Sequence, residues 1–192
     1  MQQLVLASTS PYRRELLARL GIPFETGAPN VDETPRHGEA PTATALRLAR
    51  DKAAALIPRF PDAFIVGSDQ VAELDGRPLG KPLTHVNAVQ QLRLCSGRTV
   101  EFHTALCLLD STTGVAQVAS AVNRVRFRKL TEEEIDRYLR REQPYDCTGS
   151  AKADAFGIVL VEALPGDDPN ALIGLPLILL VDMLRSAGFR LP

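Results

Sequence analysis

Leu4-Val5-Leu6-Ala7-Ser8-Thr9-Ser10-Pro11-Tyr12-Arg13-Arg14-Glu15-Leu16-Leu17 is the stretch that decides the fold class. Four consecutive apolar residues, preceded by glutamines and followed by hydroxyls, are too short for a buried helix and read as a buried strand. Ser10 is placed as an N-cap, and Pro11 stands at the first helical position, where its missing N–H costs nothing. Leu16, Leu17 and Leu20 then share one helical face, and Gly21 ends the helix. A strand feeding directly into a helix is half of an α/β unit. It also aims the free N–H groups of the helix start, with the helix dipole behind them, at whatever binds there. Ser8 and Arg13 add donors suited to phosphate, although an ordinary N-cap with solvated arginines would look the same.

Working outward, residues 22–41 carry four prolines, the acid pair Asp32-Glu33 and little periodicity, and read as a long loop. Thr42 is expected to open a second helix with Leu46, Ala49, Ala53 and Leu56 on its apolar face, stopped by Pro58. Phe64-Ile65-Val66 reads as a strand running into Gly67-Ser68-Asp69-Gln70, and Asp75-Gly76 is a hairpin turn signal. Thr84 caps a third helix ending near Ser96-Gly97. Residues 99–109 and 115–128 alternate as paired strands. Thr131 to Glu134 is a capping box for a helix running to about Arg141. Gly157 to Leu164 looks like a strand, residues 165–170 like a turn, and a last helix starts near Pro176. No internal repeat appears. The irregular alternation predicts an α/β fold, with a mixed, elongated β-sheet flanked by helices, in a single domain over residues 1–192.

Composition narrows the function. Of 192 residues 45% are hydrophobic, enough for a sizeable core, and 22 basic residues against 23 acidic ones leave a net charge of −1. Long nucleic acid is not an expected partner, because its affinity comes from a basic excess. Cys95, Cys107 and Cys147 are scattered and odd in number, so neither a zinc ribbon nor a disulfide framework is expected. His37, His85 and His103 form no metal-binding spacing. The chain opens without a basic, cleavable leader, and its longest apolar stretch, 171–181, is interrupted by Gly174 and Pro176. A cytoplasmic protein without a membrane partner is expected; a homodimer is left open.

Four features can carry chemistry. The turn at Ser8 and Arg13 is the first. Asp32-Glu33 is the second: adjacent carboxylates suit a hard cation such as Mg²⁺ or Mn²⁺, but equally a solvated turn. The third is Gly67-Ser68-Asp69-Gln70, where an aspartate just after an apolar strand sits at the ligand-binding edge of open sheets. There Asp69 could hold a metal or take a proton from water, or simply cap a bulge. Leu79-Gly80-Lys81-Pro82 is the fourth; it lacks Walker spacing, yet Lys81 is fixed between Gly and Pro and could bind phosphate.

In order, Leu-Ala-Ser-Thr-Ser-Pro-Tyr-Arg-Arg-Glu-Leu-Leu (6–17), Val-Asp-Glu (31–33), Gly-Ser-Asp-Gln (67–70), Leu-Gly-Lys-Pro-Leu (79–83), Ser96-Gly97 and Gly-Leu-Pro-Leu (174–177) resemble the Maf-like nucleotide pyrophosphatases. The resemblance covers almost the whole chain. It implies a two-lobed α/β fold around a cleft, related to inosine triphosphate pyrophosphatases. The implied reaction is divalent-metal-dependent hydrolysis of a nucleoside triphosphate between its α- and β-phosphates. By position it makes Asp69 the proton acceptor and a metal contact with Glu33, and it makes Ser8, Arg13, Lys52 and Lys81 phosphate contacts. From helix pattern alone Lys52 faces solvent.

Gly-Ser-Asp-Gln, with Tyr12 and the stretch Ser150 to Gly157, is similar to the branch of that family acting on 7-methyl-GTP. The resemblance marks Tyr12, Gln70 and Asp154 as specificity positions. Methylation at N7 makes the guanine ring cationic, so the Tyr12 face attracts it by ~0.5–2 kcal/mol. A carboxylate at Asp154 can accept from N1–H and the exocyclic amine together. The branch more typically carries tryptophan and glutamate at these two positions, so selectivity is expected to be looser here. A broader pyrophosphatase for several nucleotides, and a non-enzymatic regulator of cell division, are the alternatives.

Overall fold

A computed structural model describes residues 3–152 and 155–191. In chain order the elements are β1 (Gln3–Ala7), α1 (Pro11–Ala18), β2 (Phe24–Gly27), α2 (Pro41–Ala54), β3 (Ala63–Leu74), β4 (Arg77–Leu79) and α3 (His85–Cys95). They continue with β5 (Thr99–Asp110), β6 (Ala116–Phe127), α4 (Glu132–Glu142), β7 (Val161–Ala163), α5 (Pro169–Ile173) and α6 (Leu177–Ser186). Short 3-10 turns lie at Thr148–Ser150 and Phe156–Leu160. Among the described residues the strands form one mixed sheet in the order β2-β1-β3-β5-β6-β7, with β4 paired to β3. β1 runs parallel to β2 and β3; the β3–β4 and β6–β7 pairs are antiparallel. The expected α/β fold with a mixed sheet and flanking helices is what the chain adopts.

The chain divides into two compact units. The first comprises residues 1–70, 104–121 and 168–192. Its core joins Leu4 and Leu6 of β1 to Leu16 and Leu17 of α1, Val66 of β3, Leu106 and Leu108 of β5 and Leu180 and Leu184 of α6. Each fully buried leucine of this kind contributes about 1.5–3 kcal/mol. The second comprises residues 71–103 and 122–167. It buries Leu92 and Cys95 of α3, Val100 and Phe102 of β5, Val125 and Phe127 of β6, and Ile135, Tyr138 and Leu139 of α4.

The local signals that hold are chemical ones. Ser10 caps α1 by accepting from the Arg13 N–H, and Thr84 caps α3 in the same manner. Thr131 and Glu134 form the expected capping box. At the β3–β4 hairpin Asp75 and Gly76 both take positive φ, 50° and 77°, as a primed turn demands.

Four expectations need correcting. The loop beginning at Ile22 contains β2, a short edge strand pairing with β1 from Leu4↔Phe24 to Ala7↔Gly27; backbone pairing, which periodicity cannot register, makes it. Residues 157–164 begin in a 3-10 turn and become strand only at Val161, because Gly157 lies against the Lys152 backbone, where an ideal Cβ would sit 2.5 Å from Lys152 O. Asn170 falls inside α5 rather than a turn, because Asp168 caps that helix by accepting from its N–H. Finally, Asp69 does not follow a strand: β3 runs unbroken from Ala63 to Leu74. It is β1 that stops, at the Ala7↔Gly67 pair, so Asp69 lies beyond the carboxyl end of the neighbouring strand.

Candidate functional site

Gly67 sets the geometry of the first unit. A Cβ there would stand 2.1 Å from the Ala49 carbonyl oxygen and 2.9 Å from the Ala53 nitrogen. Only glycine lets α2 lie this close to β3. The last turn of that helix therefore delivers Lys52 to the strand two residues beyond Gly67. The lysine is not solvent-facing, as helix pattern alone suggested, but 5% exposed. Its ammonium lies 2.6 Å from Asp69 Oδ1 and 2.9 Å from Glu33 Oε1.

Asp69 is itself buried, at 7% exposure. Burial pushes its carboxyl above the usual carboxylate range, and Glu33 pushes the same way, against the pull of Lys52 and Arg13. Glu33 keeps most of its surface in water, with its side chain 59% exposed. Half-buried Arg13 feels the field of both acids: burial lowers its pKa, while Asp69 and Glu33 raise it. A guanidinium stays charged under such opposition. Its Nε donates to the Gly174 carbonyl at 2.8 Å. Ser68, fully buried, directs its hydroxyl at the carbonyls of Ala105 (2.8 Å) and Gly174 (3.0 Å), so β3, β5 and the end of α5 are joined at one point.

The loop bearing Glu33 is tied to α2. Arg47 grips Glu39 through Nε at 2.7 Å and through a second nitrogen at 2.8 Å, and also donates to the Thr34 carbonyl. Asp32 does not join the cluster; it accepts from the Thr34 N–H and closes a local turn.

Ser8 is buried at the start of α1, where its Oγ accepts from the Ser10 N–H. An open pocket of about 560 Å³ adjoins it, lined by Ser8, Thr9, Ser10, Arg14, Glu15 and Thr26. None of Arg13, Lys52 and Asp69 lines that pocket. Tyr12, at the first turn of α1, is 39% exposed and presents its ring to solvent. Gln70 commits its amide nitrogen to Thr104 Oγ1 (2.9 Å) and to the carbonyls of Ala171 and Leu172 (3.0 Å each). Its Oε1 is what it still has to offer a ligand. Lys81 belongs to the second unit, exposed, in the loop after β4. Asp154 lies outside the described residues.

Seven expected residues thus belong to one unit around α1, α2 and β3: Ser8, Tyr12, Arg13, Glu33, Lys52, Asp69 and Gln70. Of these, Glu33, Lys52 and Asp69 touch. Sequence reasoning missed the Ser68 hydroxyl as a tie between strands, the Gly174 carbonyl as the arginine's anchor and the Arg47–Glu39 pair; the first two depend on segments far apart in the chain, and the third on how the loop folds back onto α2. Chemically the cluster offers a buried carboxylate able to take a proton, two acids converging on one cation position, and fixed positive charge.

A model of the family described as Maf-like protein matches residues 3–187. The chain is 57% identical over 188 residues to a 7-methyl-GTP pyrophosphatase of Methylobacillus flagellatus, covering 98% of each chain. It is 58% identical to the 7-methyl-GTP pyrophosphatase of Cupriavidus metallidurans, over 97% of this chain and 94% of that one. A protein of that description from Nitrosococcus oceani is 54% identical over the same shares.

Proposed function

The chain belongs to the Maf-like protein family, and on that premise we propose that it is a pyrophosphatase hydrolysing the α–β phosphoanhydride of 7-methyl-GTP, giving 7-methyl-GMP and pyrophosphate. The observation that carries the reaction type is the buried Asp69 carboxylate held against Lys52, with Glu33 on the same ammonium. Support for the substrate comes from the activity for which the relatives are named. One catalytic domain spanning the chain, working in the cytoplasm, belongs to the same reading. Among the described residues no helix is long and apolar enough to cross a membrane.

Asp69 accepts the proton of the attacking water; its raised pKa brings its basicity nearer to neutral pH than that of a free carboxylate. Arg13, Lys52, Ser8 and Lys81 contact the phosphates and offset charge gathering on the departing pyrophosphate. A divalent cation fits the donor set: Asp69 and Glu33 are hard oxygen ligands that already converge on one cation, the lysine ammonium, and Mg²⁺ commonly takes one or two carboxylates with substrate phosphates. When bound, such an ion neutralises phosphate charge and polarises the scissile bond. Tyr12 attracts the cationic methylated base with its exposed ring, Gln70 meets the base with its acceptor oxygen, and Asp154 accepts from the guanine N–H groups.

A pyrophosphate-release assay with 7-methyl-GTP, GTP, UTP and dTTP tests this, run on the wild type and on Asp69→Asn. The wild type prefers 7-methyl-GTP in kcat/KM, and the variant loses roughly 10²–10⁴-fold. A best rate on UTP or dTTP would refute the substrate, a flat profile would favour the broader pyrophosphatase, and an undiminished Asp69→Asn rate would refute the mechanism.

A further inference from the structure

Lys81 stands in a loop whose backbone is held on both sides of the lysine, by contacts all within the second unit. Gln91 Nε2 donates to the Gly80 carbonyl at 2.9 Å, and Asn87 Nδ2 donates to the Pro82 carbonyl at 2.9 Å. The Leu83 N–H donates to the Tyr145 carbonyl at 3.0 Å, and Thr84 caps α3. Leu83 adopts φ 62°, a left-handed conformation unfavourable to a branched side chain, although that side chain is 73% exposed. Packing of its side chain therefore does not explain the conformation; it goes with the fixed course of the loop. Strain of this kind persists only where the surroundings over-determine the backbone, and it concentrates at functional sites. Among the described residues no carboxylate is ion-paired with Lys81.

Gln91 differs from the other clamps in being held from behind. Its Oε1 accepts from Ser150 Oγ at 2.5 Å. Ser150 is fully buried and sits at φ 56°, directly after Gly149 at φ 76°, which approaches the Phe102 ring. The Gln91 amide thus links the carbonyl beside Lys81 to a strained, buried turn 59 residues beyond Gln91 in sequence. The linkage needs a donor at one end and an acceptor at the other, which glutamine supplies and glutamate or methionine does not.

We infer that Gln91 is a positioning residue for the Lys81 ammonium, acting by fixing the Gly80 carbonyl while itself anchored on Ser150. The inference rests on the proposed role of Lys81 as a phosphate contact. A lysine stem has four rotatable carbons, so a fixed backbone on both sides of its Cα lowers the disorder it must lose on meeting a phosphate. Misplacement of such a group by about 1 Å costs roughly 10²-fold in rate.

The test is a double-mutant cycle in pyrophosphate release with the full chain. Gln91→Glu keeps the acceptor for Ser150, so the buried hydroxyl stays paired, but removes the donor to Gly80. It is expected to lower kcat/KM by roughly 10-fold or more. Lys81→Ala lowers it as well, and the double variant is expected to be no worse than Lys81→Ala alone, because Gln91 works through the lysine. Ser150→Ala, which leaves both Gln91 and Gly80 in place, gives a smaller loss that also vanishes in the Lys81→Ala background. A wild-type rate for Gln91→Glu, or losses that multiply in either double variant, overturns the inference while leaving the phosphate role of Lys81 standing. A fully active Lys81→Ala overturns that role and the inference with it, and does so in the single variant. Should Gln91→Glu fail to fold, Ser150→Ala and its Lys81→Ala pair decide by the same criterion.

Discussion

The Lys52 ammonium lies 2.6 Å from Asp69 Oδ1, and the two residues are only 5% and 7% exposed. Burial raises the Asp69 pKa, and Lys52 is the largest influence opposing the rise. Removing the lysine charge therefore drives the carboxyl further up. For Lys52→Met the acid limb of the pH–rate profile is expected to move to higher pH, with kcat/KM at neutral pH lower by roughly 10²-fold. A profile whose acid limb stays in place would mean that Asp69 is not the group being titrated.

Gly67→Ala tests how the cluster is assembled. The new methyl meets the backbone of α2, at 2.1 Å from the Ala49 oxygen, and no side-chain rotation relieves it. Overpacking of this kind costs about 1–3 kcal/mol or more. The denaturant midpoint should fall, and hydrolysis should fall with it as Lys52 is carried away from Asp69. Full activity in the folded variant would show that the lysine does not depend on this close approach.

Glu39 gives the loop of Glu33 a pH dependence. Hydrogen bonds from Arg47, the Arg36 N–H and Thr44 lower its carboxyl from an ordinary 4.5 to about 2. A folded pKa below the unfolded one means that the stabilising contribution is fully present above 4.5 and is lost as pH falls toward about 2. Wild type should therefore lose stability across that window more steeply than Glu39→Gln. Parallel urea titrations at several acidic pH values read the difference, and identical slopes would exclude it.

Tyr12 is exposed at the first turn of α1, so a larger ring can be tolerated there. Tyr12→Trp offers a stronger π-face to a cationic base, and Tyr12→Ala offers none. With a cation–π interaction of ~0.5–2 kcal/mol, the preference for 7-methyl-GTP over GTP should rise in the first and fall roughly 2–30-fold in the second. An unchanged ratio in both variants would remove Tyr12 from base recognition.

Local chemistry made much of the fold legible. Ser10, Thr84 and the Thr131–Glu134 box are caps because their side chains bond to backbone only three residues away. Asp75-Gly76 turns the chain because few residue pairs accept two positive φ values. Strand β2 was illegible for the complementary reason: nothing in Phe24-Glu25-Thr26-Gly27 alternates, and its hydrogen bonds come from Leu4 to Ala7. Site residues divide along the same line. Ser8 and Arg13 announce themselves beside a helix start, whereas Lys52 looks like any polar residue of an amphipathic helix.

The order of amino acids alone marks most helix starts, the Asp75-Gly76 turn and the succession of motifs, since these depend on groups a few residues apart. The burial of Lys52, the sharing of its ammonium by Glu33 and Asp69, and the anchoring of Arg13 on the Gly174 carbonyl come from the folded arrangement of the chain. What separates the two groups is distance along the chain. Electrostatics and desolvation act through space, and Gly67 creates the space in which 17 residues of separation become one 2.6 Å contact.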